Sequence, residues 1–154
     1  MKRDLKYFMR EQSEEIVHAP APTSFKDDEG NPIDLEIRVL SNAQIQRIND
    51  GYRRRSIALD KSGNPYISNG EVVFKTERDS GRAMRHIIAE ALVYPNLKDK
   101  ELMDFYKCYD ITEMPLLVFS KMDEYTAVSR AVMAALGMVD DGESGDNDIE
   151  EAKN

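Results

Sequence analysis

Tryptophan is absent, cysteine occurs once and histidine twice, and these scarcities remove several kinds of chemistry at the outset. The lone Cys108 excludes an intramolecular disulfide, and with His18 and His86 distant in sequence it provides no metal-ligand motif, so zinc is not expected. Long apolar runs are missing as well. The stretches at 116–119 and 131–136 fall far short of the roughly 20 residues that a membrane-spanning helix needs. The N-terminal Met-Lys-Arg-Asp-Leu-Lys-Tyr-Phe carries charge where a secretory signal keeps its apolar core, so no leader is expected. No Walker-type phosphate loop, dinucleotide fingerprint or His-Glu-x-x-His pair occurs. His86, beside Arg85 and Ile87, has no sequence partner for base catalysis and is expected to be packed or at the surface. Cys108, next to Lys107, is expected to be a small buried thiol. A non-enzymatic chain without cofactor or metal is the expectation.

What is present is enough to fold. With 154 residues, 41% of them hydrophobic and 32% charged, the chain is long enough to bury a core beneath a wet surface. The net charge of -8 is unevenly spread: residues 139–154 hold seven carboxylates and one lysine, leaving 22 acids and 20 bases on the rest. That acidic tail has too few apolar residues to offset the entropy of ordering and is expected to be disordered. It would also repel phosphates, so a protein partner is favoured over nucleic acid or membrane. Arg53, Arg54 and Arg55 are placed in the last turn of a helix, where consecutive positions point in different directions and complement the helix dipole.

Along the chain, residues 1–15 form an arm or short helix around Leu5, Phe8 and Met9. Pro20 and Pro22 stop it. The Asp-, Gly-, Asn- and Pro-rich turn at 26–32 leads into Ile33, Leu35, Ile37 and Val39, which alternate with Asp34, Glu36 and Arg38 as in a half-buried strand. Its hairpin partner is 15–17 or 23–25. Ser41-Asn-Ala-Gln44 has the form of a capping box and predicts a helix over 42–55 with Ala43, Ile45, Ile48 and Tyr52 inward. Asn69-Gly70 between strand formers predicts a second hairpin or arm near 57–76. From Arg78 the period becomes helical, capped by Asp79 or Ser80, until Tyr94-Pro95. Asn96 to Asp99 then supply a new cap for a helix with Leu102, Phe105, Tyr106 and Tyr109 along its stripe. Pro115 sits in the first turn of a third helix, with 116–119 mostly buried. A last helix begins at Met122-Asp123, carries Tyr125, Val128, Val132, Met133 and Leu136, and ends at Gly137. The expected fold is α+β, mostly α: an N-terminal β-hairpin on a bundle of about four helices. One domain is expected over 16–138, with the tail at 139–154.

Six of the eight methionines (Met84, Met103, Met114, Met122, Met133, Met138) lie in the helical half. Such side chains either fill a core or furnish an adaptable apolar surface. The ordered set of Phe25-Lys-Asp-Asp-Glu-Gly-Asn-Pro-Ile-Asp-Leu-Glu-Ile-Arg, the capped helix with its three arginines, Val93-Tyr-Pro-Asn-Leu-Lys-Asp, Met114-Pro-Leu-Leu and Met122-Asp-Glu-Tyr resembles the XkdN-like phage tail assembly chaperones, over about residues 15–138. The longer 56–80 region and the acidic tail depart from that pattern. The resemblance implies a non-enzymatic protein in the cytoplasm of a bacterial host. It implies a protein that coats the tape measure protein before the tail tube protein polymerises, and that is absent from the finished particle. It leaves self-association and a frameshifted longer product open. Under it, Tyr94, Pro95, Leu97 and Leu102 are structural, reversing the chain so that two helices pack together. Phe119, Met122, Tyr125, Met133 and Met138 are the candidate contacts. A structural tail or baseplate subunit, or a DNA-associated regulator using Arg53 to Arg55, are the alternatives.

Overall fold

The computed structural model describes residues 2–138, so the expectation of a disordered 139–154 lies outside them. A 3-10 turn at Leu5–Phe8 comes first, capped by Asp4 and exposed throughout. Strands β1 (Ile16–Pro20) and β2 (Asp34–Arg38) pair antiparallel, with Val17 opposite Ile37 and Ala19 opposite Leu35. The partner of β2 is therefore the 16–20 segment. Residues 23–25 instead lead into the turn, with Phe25 packing edge-to-face on Phe119 at 5.7 Å. Leu35 and Ile37 are almost wholly buried, the inward half of the alternation.

The turn at 26–32 is built on Asp27, whose side chain accepts from the amides of Glu29 and Asn31, with Gly30 at φ +82. An identical Asp-x-x-Gly-Asn-Pro pattern recurs at 60–65. Asp60 accepts from Ser62 and Asn64, and Gly63 also stands at φ +82. Both turns need the left-handed backbone that glycine adopts without a Cβ clash.

Helix α1 (Asn42–Asp50) has the reciprocal box: the Ser41 hydroxyl accepts from the Gln44 amide, and the Gln44 side chain accepts from the Ser41 amide. It ends earlier than the periodicity predicted. Gly51 closes it, and the three arginines belong to strand β3 (Arg53–Ile57), paired antiparallel with β6 (Phe74–Arg78). The physical reason is a competing ladder: the Phe74–Arg78 strand opposite offers five pairings, whereas a helical continuation through Gly51 offers little. Ala43, expected inward, is exposed, while Ile45, Ile48 and Tyr52 are half-buried. Between β3 and β6 lies β4 (Ile67–Ser68) with β5 (Glu71–Val72), joined by Asn69 and Gly70 at φ 53 and 79, the geometry of a type I′ turn. The second hairpin is present as a two-stranded arm.

Asp79 caps α2 (Ser80–Ala91), accepting from the Arg82 amide. This helix also stops short. Leu92–Tyr94 form β7, which pairs antiparallel with β2 in a three-stranded sheet of order β1-β2-β7. Pro95 biases Tyr94 toward extended backbone, and the free edge of β2 accepts it. The Tyr94–Pro95 peptide is cis. The corner thus joins a strand to a helix rather than two helices, and the expected mostly helical bundle gives way to a mixed fold. Of the described residues 37% are helical and 23% strand.

Asp99 caps α3 (Lys100–Tyr106), α4 (Met114–Val118) carries Pro115 in its first turn, and α5 (Met122–Ala135) completes the chain. At the end of α5 the Met138 amide donates to the Met133 carbonyl at 2.8 Å around Gly137, φ 70, a Schellman closure. The core joins Leu35, Ile37, Leu40, Ile87, Ile88, Leu92, Leu97, Met114, Val128 and Val132. Helix α2 is its hub, packing on α1, α4, α5, β2 and β7.

Besides Asn69, whose side chain tolerates the left-handed region, one non-glycine residue among those described stands at positive φ. Lys107 closes α3 with φ 52, and its neighbour Cys108 donates to the Met103 carbonyl at 3.1 Å, so a non-glycine side chain occupies the left-handed capping position. Lys107→Gly is expected to raise stability by about 1 kcal/mol, seen as a higher urea midpoint with unchanged slope. An unchanged or lower midpoint would contradict the account of this cap.

Candidate functional site

Two polar clusters hold α2 to its neighbours. In the first, the Tyr52 hydroxyl and His86 Nδ1 are 2.7 Å apart, His86 Nε2 lies 3.6 Å from the Glu90 carboxylate, and Lys98 reaches Glu90 at 3.0 Å. Beside it an open groove of about 500 Å³ is lined by Leu40, Ile48, Tyr52, His86 and Glu90. Burial raises the Tyr52 phenol above its usual pKa, opposing formation of a nucleophilic phenolate. The cluster ties the end of α1 to α2. His86 is thus a half-buried connector, as its sequence context suggested, but its partner Tyr52 lies 34 residues away and was invisible to local spacing.

In the second cluster, Arg82 and Arg85 reach from α2 to the 107–113 connection. Arg82 pairs with Asp110 at 2.9 Å and donates to the Thr112 hydroxyl, while Arg85 donates to the Thr112 carbonyl at 2.7 Å. Thr112 is 2% exposed, and both its amide and hydroxyl donate to Asp110. Those hydrogen bonds, the hydroxyl's first and then the amide's, hold the Asp110 carboxyl below its ordinary pKa, with Arg82 assisting. Ser24 and Glu124 make a third tie, between the turn before β2 and α5. Among the described residues no group of three or more His, Cys, Asp or Glu is placed to hold a metal, and no helix is long and apolar enough to cross a membrane.

The more telling feature is apolar surface left uncovered. Phe105, Tyr109, Leu116, Leu117 and Met122 stand 76%, 71%, 40%, 39% and 85% exposed along the end of α3, the following connection, α4 and the start of α5. The residues singled out from sequence divide accordingly. Phe119 is 2% exposed, packs on Phe25 and offers no side-chain surface to a partner. Met122 and Met138 are exposed, whereas Tyr125 is half-buried against the core and Met133 is half-buried. Met122, Tyr125 and Met133 fall on one stripe of α5 by their spacing. Leu97 is fully buried, Leu102 half-buried, Pro95 half-buried and Tyr94 51% exposed. Sequence spacing missed the exposure of Leu116 and Leu117, because a five-residue helix gives no reliable period.

Comparison with known proteins fits this architecture. The model of the phage XkdN-like tail assembly chaperone proteins matches residues 5–153. The chain belongs to this family. Among curated relatives, the Bacillus subtilis protein YqbN is 32% identical, the match covering 97% of this chain and 91% of YqbN. The XkdN protein of the phage-like element PBSX, also from Bacillus subtilis, is 28% identical over 98% of this chain and 94% of its own. A crystal structure of YqbN superposes with a TM-score of 0.67 at 25% identity, covering 89% of this chain and 98% of that one. This tail assembly chaperone therefore shares its fold with a solved relative along most of its length.

The Asp110 cluster has a pH signature. A carboxyl whose folded pKa lies below its unfolded value near 3.8 contributes stability above that value and loses it as pH falls through the folded one. Asp110→Asn is expected to lower the thermal midpoint at pH 7 and to show a smaller further loss than the native chain between about pH 5 and pH 2. Equal pH slopes in the two proteins would contradict this assignment.

Proposed function

We propose that the chain is a non-enzymatic chaperone that binds the tape measure protein during tail assembly, keeps it soluble, and helps bring tail tube subunits to it. The observation that carries this reading is the run of exposed Phe105, Tyr109, Leu116, Leu117 and Met122 on otherwise well-packed helices. Exposed apolar groups in one stretch suit an amphipathic helix of a partner, which lays its apolar face into such a surface. A tape measure protein, long and helical with an uncovered apolar stripe, has the complementary chemistry. Met122 and Met138, with Tyr125 and Met133 at their edge, are the proposed contacts, and the flexible thioethers allow one surface to accept successive sequences. Tyr94, Pro95, Leu97 and Leu102 hold the scaffold beneath. The protein acts in the cytoplasm of the bacterial host and leaves before the particle is complete.

Co-production with the tape measure protein of the same phage tests the reading. The native chain is expected to keep that protein in the soluble fraction and to co-purify with it, while purified particles lack the chain. Leu117→Asp with Met122→Asp is expected to weaken the complex at least about tenfold with little change in thermal midpoint, as for loss of central apolar anchors. Stoichiometric recovery of the chain in finished particles would overturn the transient role and make it a structural subunit.

A further inference from the structure

The strand placement of Arg53 to Arg55 changes what those residues do. In a helix they would diverge, but in β3 side chains alternate, so Arg53, Arg55 and Ile57 share one face of the arm. Their directly opposed partners on β6 are Arg78, Thr76 and Phe74, which stand on that same face. The opposite face is self-neutralised, with Arg54 opposite Glu77 and Lys75 bonded to Glu77 at 2.8 Å. It is also the side of Ser56, the one half-buried residue of the two strands.

The first face is different in kind. It carries three arginines and no acid, and among the described residues Arg55 and Arg78 make no ion pair, while Arg53 has only a 3.3 Å contact to Asp50. The Arg55 guanidinium lies 4.0 Å over the Phe74 ring, and Phe74 and Ile57 are 47% and 44% exposed. Two-stranded ribbons are marginal in water on their own. A basic and apolar face of this kind is complementary to an anionic, extended peptide.

We infer that the chain's own acidic segment, residues 139–154, covers this arginine face of the β3–β6 arm. The segment supplies seven carboxylates against one lysine, the complement of three arginines without an acid. It starts directly after the closure of α5 at Met138. Sixteen residues reach up to about 50 Å, against a radius of gyration of about 15 Å for a compact chain of this size. A covalent link of that length keeps the carboxylates at an effective concentration of about millimolar, which favours them over acidic competitors in solution. Planar guanidinium groups accept carboxylates in bidentate fashion and suit an extended acidic peptide. This inference stands apart from the tape measure reading, because it concerns a different face and a partner within the same chain.

The test compares the native full-length chain with one in which the seven carboxylates of 139–154 are replaced by their amides. A synthetic peptide of residues 139–154 is titrated into each, and backbone amide shifts at 53–57 and 74–78 are followed by NMR. The neutralised chain is expected to bind the peptide at least about tenfold more tightly than the native chain, whose face is already covered. The native shifts are expected to move to the neutralised positions at about 0.5 M salt, as screening requires. In the neutralised background, Arg55→Ala with Arg78→Ala is expected to abolish peptide binding, whereas Arg54→Ala on the opposite face changes it less than about twofold. Equal peptide affinity for native and neutralised chains would overturn the proposal, as would equal sensitivity to Arg54→Ala. Tight binding of double-stranded DNA by the native chain at physiological salt would assign the face to nucleic acid instead.

Discussion

The structure depends on the burial of one helix against α1, α4, α5, β2 and β7. Helix α2 presents Ala83, Ile87, Ile88, Ala89 and Ala91 at 1% exposure or less. Three of these are alanines, and small side chains let α1, α4 and β2 approach closely while Ile87 and Ile88 fill the space between them. Leu92 continues directly into β7, so the same segment supplies both the central helix and the third strand. A large residue at Ala89 or Ala91 would have to displace several elements at once.

The polar ties are arranged around that helix and explain how short elements stay in place. Tyr52 and His86 fix α1, whose nine residues bury none completely. Arg82 and Arg85 fix the loop carrying Thr112, from which the five-residue α4 starts. Helices this short do not hold themselves in water. Hydrogen bonds from long arginine side chains compensate, fixing the connection that carries exposed Tyr109 and the start of α4, which carries exposed Leu116 and Leu117.

Much of this was readable from residues. Capping chemistry marked the starts of α1, α2 and α3 through Ser41, Asp79 and Asp99, because a cap is a local hydrogen bond encoded within three residues. Asn69-Gly70 marked its turn for the same reason. The ends were harder. Both α1 and α2 stop before their apolar period does, since Arg53 to Ile57 and Leu92 to Tyr94 join ladders whose partners lie about 20 and 57 residues away. Among the candidate contacts, Met122 and Met138 lie at the surface, but Phe119 could not be told from its neighbours. Its burial is decided by Phe25, nearly a hundred residues earlier.

A buried α2 hub, with exposed apolar groups on α3, α4 and α5, fits the proposed binding of a partner without rearrangement of the core. Hydrogen exchange on the free chain and on the chain mixed with the tape measure protein, its proposed partner, tests that division most directly. The account predicts that amides of α2, β2 and β7 are the slowest in the free chain and change little, while protection is gained over 105–122 and near Met138. Gain concentrated in α2 and β7, or none over 105–122, would contradict it, because the partner would then be bound by refolding of the core or by another face.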